Sequence, residues 1–214
     1  MIIETQAVGP FFKNGYLVGC ERSRRAVLID PGDEIGGLLT FAERHAFVVD
    51  HILLTHAHVD HMSGVAVAKR ALPAPVHLHR DDLFLYNDAV AHGLRFGLRV
   101  EPPPPVDAYY TTAQVIPFGA CEVRPHHTPG HSPGGVCLEI REPGTGAAHL
   151  FVGDTLFAGA IGRTDLPGGD YDTLIRSIRT VLFAFGDDVE VHSGHGPATT
   201  IGDERRTNPF LIAE

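Results

Sequence analysis

The amino-acid sequence predicts an α/β protein built as a four-layer αβ/βα sandwich. Three observations carry this expectation. Short β-rich runs alternate with stretches whose apolar residues fall at helical spacing. The alternation occurs twice, before and after the proline-rich "EPPPPVD" at 101–107, so each half can form a sheet covered by helices on one side. And 214 residues suffice for one domain, 1–214, in which two halves share one core. The alternative is a single doubly wound sheet, but no G-x-G-x-x-G fingerprint follows the first strand.

Taken in order, "YLVGC" (16–20) and "AVLIDPG" (26–32) read as neighbouring strands, the second closed by a Pro-Gly turn. Over 34–46, Ile35, Leu38, Leu39 and Ala42 lie at helical spacing. "HILLTH" is a short buried strand, followed by a helix over Asp60–Ala71 with Asp60 near its start. "APVHLH" is a further strand and 81–92 a further helix, after which the proline run can enter neither ladder nor helix. The second half shows strands near 113–118, 120–127, 136–140 and 148–153. A helix then spans 172–184, with Leu174, Ile175, Ile178, Val181 and Leu182 on one face, and "VEVHSGH" is the last strand.

A net charge of −9 argues against non-specific binding to nucleic acid or to anionic membranes, both of which favour a basic face. No apolar run approaches a membrane span, and "MIIETQAVGP" lacks the pattern of a secretory signal. Cys20, Cys121 and Cys137 are odd in number and lack C-x-x-C spacing. They read as free thiols, which fits a cytoplasmic, reducing compartment.

Histidine is the anomaly. "THAHVDH" at 55–61 places His56, His58, Asp60 and His61 together directly after an apolar run. His56 and His58, two apart in an extended segment, point to the same side, and Asp60 and His61 follow where a helix begins. Burying these groups together without a cation would strand polar atoms. Neutral imidazole with carboxylate suits zinc, iron or manganese. His131 in "HHTPGHSPGG", Asp154 in "HLFVGDTLF" and His195 in "VEVHSGHGP" each stand where a buried strand opens into a loop, and can complete the set. His45, His51, His77, His79, His92, His149 and His192 read as structural or surface residues. His126 and His127 lie near His131 without a place in the pattern.

These residues resemble the signature of the metallo-β-lactamase superfamily, H-x-H-x-D-H followed by a His, an Asp and a last His. The likeness covers essentially the whole chain and implies the αβ/βα sandwich. "PGHSPGG", "GDTLFAGAIGRTDLPGGD", "SGHGP" and "ERRTNPFL" resemble the glyoxalase II branch, the hydroxyacylglutathione hydrolases, in its short bacterial single-domain type without the C-terminal helical domain that helps hold glutathione. The resemblance implies two divalent ions, with zinc expected first and iron or manganese as alternatives. His56, His58 and His131 would hold one, Asp60, His61 and His195 the other, and Asp154 would bridge them. It implies hydrolysis of an acyl thioester, glutathione-linked, by a metal-bridging hydroxide acting with Asp60 and Asp154. Asp30 is expected to support a ligand imidazole and Arg163 to meet a substrate carboxylate, with Phe157 and Tyr171 at the mouth. The same residues fit plainer roles, Asp30 as a turn former before Pro31 and Arg163 in an ion pair with Asp165 or Asp170. The rival activities are persulfide dioxygenation on a single iron, as in the related glutathione persulfide dioxygenases, and hydrolysis of a lactone or phosphodiester.

Overall fold

The computed structural model describes residues 1–212. The first half runs β1 (Ile2–Val8), β2 (Lys13–Cys20), β3 (Arg25–Ile29), α1 (Gly36–Arg44), β4 (Val48–Leu53), α2 (Val59–Met62), α3 (Val65–Ala71), β5 (Val76–Leu78), α4 (Leu83–Asn87), α5 (Ala89–Arg95) and β6 (Ala108–Tyr109). The second runs β7 (Ile116–Phe118), β8 (Cys121–His127), β9 (Val136–Arg141), β10 (Ala148–Gly153), a small hairpin of β11 (Leu156–Phe157) and β12 (Ala160–Ile161), α6 (Tyr171–Thr180), β13 (Glu190–Ser193), β14 (Thr199–Thr200) and α7 (Ile201–Thr207). The strands divide into two six-stranded sheets, β1-β2-β3-β4-β5-β6 and β14-β13-β10-β9-β8-β7, rather than one doubly wound sheet.

Alternation along each strand explains the layering. Leu17, Leu28 and Ile52 face α1, α3, α4 and α5 through one apolar cluster. Their neighbours Val18, Val27, Ile29 and Leu53 face inward against Ile116, Val123, Leu138 and Phe151 of the second sheet. Leu150, Val152 and Val191 face outward onto Leu174 and Ile178 of α6 and Ile201 of α7. Strands covered on both faces are mostly apolar, and β2 is buried at every position, the polar Lys13 and Asn14 at its start included. The result is the four-layer sandwich. No helix among the described residues is long and apolar enough to cross a membrane.

Several element boundaries differ from the sequence expectation. The helix expected over 60–71 breaks into α2 and α3, because the first sheet's β3–α1 connection passes over Gly64. Its N–H donates to Pro31 O at 2.9 Å, and a Cβ there would strike Gly32 O. The 81–92 helix breaks at Asp88, and the 172–184 helix ends at Thr180 with a short 3₁₀ turn beyond. β1 and α7 were not anticipated. β1 is a half-exposed edge strand that carries Glu4, Thr5 and Gln6. α7 is short and charged, held by a Thr200 cap and by buried Glu204, whose carboxylate accepts from Gly159 N, Thr199 Oγ1 and Asn208 Nδ2 at 2.9, 2.6 and 2.8 Å. The "ERRTNPFL" motif thereby secures the β11–β12 hairpin, since Asn208 Nδ2 also donates to Ala160 O.

Candidate metal centre

Ligand-type side chains gather at the edge where β3, β4, β8, β10 and β13 end. Asp30 follows β3 with a left-handed φ of 47°. That turn aims its carboxylate back at the next strand's exit, where it accepts from Thr55 N at 2.7 Å, Thr55 Oγ1 at 2.6 Å and His61 Nδ1 at 2.8 Å. The connection from β4 into α2 is thus pinned while it delivers His56, His58, Asp60 and His61. His131 comes from the loop after β8, Asp154 directly follows β10 and His195 lies just past β13.

Besides the overlapping set Asp30, His56 and His61, two groups of three donors result. His56, His58 and His131 form one, and Asp60, His61 and His195 the other. Asp154 stands between them, with Oδ1 3.1 Å from His61 Nε2 and Oδ2 at 3.4 Å from His195 Nε2 and 3.7 Å from His131 Nε2. The seven residues singled out by the motif therefore converge. Among the described residues His56 Nε2, His61 Nε2 and Asp154 Oδ1 are buried without a hydrogen-bond partner. Buried polar atoms left without a partner are costly, and a cation can take them. The backbone makes room as well: a Cβ on Gly194 would collide with Asp154 Oδ1 and the His61 ring. The donor set fits a pair of divalent cations.

Four of the five imidazoles are oriented through their other nitrogen. His61 Nδ1 donates to Asp30, His131 Nδ1 to Arg163 O at 2.8 Å and His195 Nδ1 to Phe11 O at 3.0 Å. His56 Nδ1 lies 3.1 Å from Thr55 Oγ1, whose own hydrogen goes to Asp30. Protonation follows the same split. Burial holds His56 well below the ordinary imidazole range and His58 down to about 3, so both present lone pairs. Burial alone would lower His61 too, but Asp154, Asp30 and Asp60 raise it to about 9; hydrogen bonds to Asp154 and Asp60 raise His195 to about 10. Burial would raise the carboxyls of Asp60 and Asp154, yet His61 and His195 pull both below the ordinary range. In this half of the centre the two carboxylates are paired with imidazoles that they hold protonated.

Three residues matter here that the motif did not mark. Lys13 is buried beneath the site, its ammonium donating to Asp30 O, with its pKa lowered by burial to about 8. Asp82 is fully buried and accepts from Ala57 N at 3.0 Å, Ser132 Oγ at 2.8 Å and Gly134 N at 2.6 Å, joining the His56/His58 loop to the His131 loop. His92, taken from sequence as a structural residue, packs edge-on to Phe96 and lines the cavity above the centre. That cavity holds about 310 Å³, with apolar walls of Phe11, Val59, Phe96 and Leu166. Arg163 also lines it, its guanidinium paired with Asp165 at 2.7 and 2.6 Å. Phe157 packs edge-on to His195, whereas exposed Tyr171 begins α6 and is not among the lining residues.

The family model of the metallo-beta-lactamase superfamily matches residues 8–195. The chain is 36% identical over 218 residues to hydroxyacylglutathione hydrolase GloC of Haemophilus influenzae, covering 99% of this chain and 98% of that protein. Among solved structures it resembles TTHA1623 in a di-iron-bound form, at a TM-score of 0.84 and 41% identity, covering 99% and 100% of the two chains. It also resembles BLEG-1 B3 metallo-beta-lactamase, at a TM-score of 0.89 and 34% identity with the same coverage.

Proposed function

The chain belongs to the metallo-β-lactamase superfamily, and on that premise we propose that it hydrolyses acyl thioesters of the glyoxalase II type, with glutathione as the thiol carrier. The observation that carries this reading is the pair of donor groups sharing Asp154 at the floor of an apolar-walled cavity. His56, His58 and His131 would hold one divalent ion, Asp60, His61 and His195 the other, with Asp154 common to both. Zinc is the first choice and iron or manganese the alternatives; TTHA1623 is a di-iron case. Ions at such a seat supply Lewis acidity and bring the pKa of bound water near neutrality.

The chain's own residues do the rest. Asp30, Thr55, Phe11 O and Arg163 O fix the tautomers, so the donors need no reorganisation during turnover. Asp60 and Asp154 cancel only half of the four positive charges that two divalent ions carry. The seat therefore keeps a positive field for the oxyanion that a carbonyl becomes. Phe11, Val59, Phe96 and Leu166 exclude water from the acyl end and strengthen that field. A thiolate leaves without protonation, so no protein acid is required. Arg163, at the rim, can exchange Asp165 for a carboxylate of the carrier. The name of the Haemophilus influenzae relative supports this choice of carrier.

The test is metal content and hydrolysis of S-lactoylglutathione by protein purified without chelator. Asp154→Ala should contain two equivalents fewer than the parent and lose more than about 100-fold in kcat/KM, beyond the 10–100-fold typical of a supporting residue. Unchanged metal content in that variant would remove Asp154 from the bridging position. Iron in a single equivalent, with oxygen uptake on a persulfide and no hydrolysis, would replace the proposal by dioxygenation.

A further inference from the structure

Asp154 and His195 stand beyond the C-terminal ends of β10 and β13. At the opposite ends of these two strands a separate set of donors meets. β10 and β13 pair in parallel with His149 opposite Glu190 and Phe151 opposite His192. Residues two apart on a strand share a face, so His149, Glu190 and His192 project together from the rim of the inter-sheet core. His149 Nδ1 lies 3.1 Å from His192 Nε2 and 3.3 Å from Glu190 Oε2, and His192 Nε2 lies 3.5 Å from the same oxygen. A tetrahedral zinc with bonds of about 2.0–2.1 Å spaces its ligand atoms about 3.3–3.4 Å apart. The three edges bracket that spacing.

The rings are held for this task. His192 is buried, stacks on Phe151 with centroids 4.8 Å apart and planes 17° off parallel, and meets Tyr16 edge-on at 5.9 Å. His149 stacks on His192 at 5.4 Å. Burial, and then His149, lower the His192 pKa to about 4, so the ring is neutral at neutral pH. Glu190 is more than half exposed and leaves the outer side open to an ion and a water. Two imidazoles and one carboxylate, set on adjacent hydrogen-bonded strands rather than on a loop, match the donor chemistry and rigidity of a zinc site.

We propose that His149, Glu190 and His192 form an additional cation site for zinc, remote from the candidate centre, which clamps β10 to β13 and so steadies the two strands that deliver Asp154 and His195.

The test is zinc titration of the full chain by calorimetry, with metal content read after desalting and the melting temperature followed in parallel. The parent should take up one more zinc equivalent than H149Q/H192Q, and zinc should raise its melting temperature further. E190Q changes only an exposed side chain; it should fold normally and weaken this class of site at least tenfold. The D154A background keeps the question apart from the main centre. There the remaining zinc should still fall by one equivalent when H149Q/H192Q is added. Equal uptake by parent and H149Q/H192Q, or unchanged zinc affinity in E190Q, overturns the proposal and leaves these contacts as a histidine hydrogen bond beside a glutamate.

Discussion

His61 and His195 each spend one ring nitrogen on an acceptor and turn the other toward carboxylates, Asp154 for His61 and both Asp60 and Asp154 for His195. With pKa values raised to about 9 and about 10, both hold a proton at pH 7 in the metal-free protein. A cation entering Asp60/His61/His195 must displace those protons, so affinity there rises with pH through the neutral range until the two raised values are passed. His56 and His58, lowered by burial, have none to release at pH 7. Zinc added to metal-free protein in weak buffer at pH 7 should release protons in the step that fills the second group. The apparent affinity of that step should increase roughly tenfold or more from pH 6 to pH 8. Proton release of zero, or a pH-independent second step, would contradict this ordering. At this scale the donors were legible because four of them crowd into "THAHVDH" and the other three follow apolar runs. Lys13, Asp82 and His92 were not. No motif marks Lys13, and Asp82 falls within the helix expected over 81–92; only the fold turns both inward.

Asp82 opens α4, yet its work lies between two loops. Three donors from those loops fill its carboxylate, and Gly134 approaches so closely that a Cβ would collide with it. Asp82→Asn keeps the size but offers one oxygen where three donors need two. At least one buried donor then faces an amide N–H, costing about 1–3 kcal/mol. The variant should show that loss in denaturant unfolding, together with a roughly 10–100-fold weaker first cation, because His56, His58 and His131 flank the junction. Wild-type values for both would show that the loops are held by other means. Periodicity located most elements and failed where a crossing chain decides. It saw one helix over 60–71, but the backbone of Pro31 and Gly32 lies against Gly64 and divides it. It passed over β1, whose apolar alternation is diluted by Glu4, Thr5 and Gln6 on a half-open edge.

Across the molecule, the two halves were visible in the doubled alternation of strands and helices and in the proline run between them. The sharing of labour between them was not visible, since it depends on which sheet edges meet. His58 and His131, 73 residues apart, lie 2.7 Å from each other, and the second group likewise joins Asp60 and His61 to His195. A cation at either group would therefore cross-link the halves. An ion present at a hundred times its Kd adds about 2.7 kcal/mol, so two such ions should raise the melting temperature by about 10–20 °C over metal-free protein. A calorimetric scan with and without chelator checks this, and coincident transitions would mean that the apolar layers alone join the halves. Neither half owns a complete group of the donors flanking Asp154, so a severed or half-made chain would lack a finished seat for an ion at that centre. On the proposed function, a reactive centre would form only once β13 docks beside β10 and brings His195 to it.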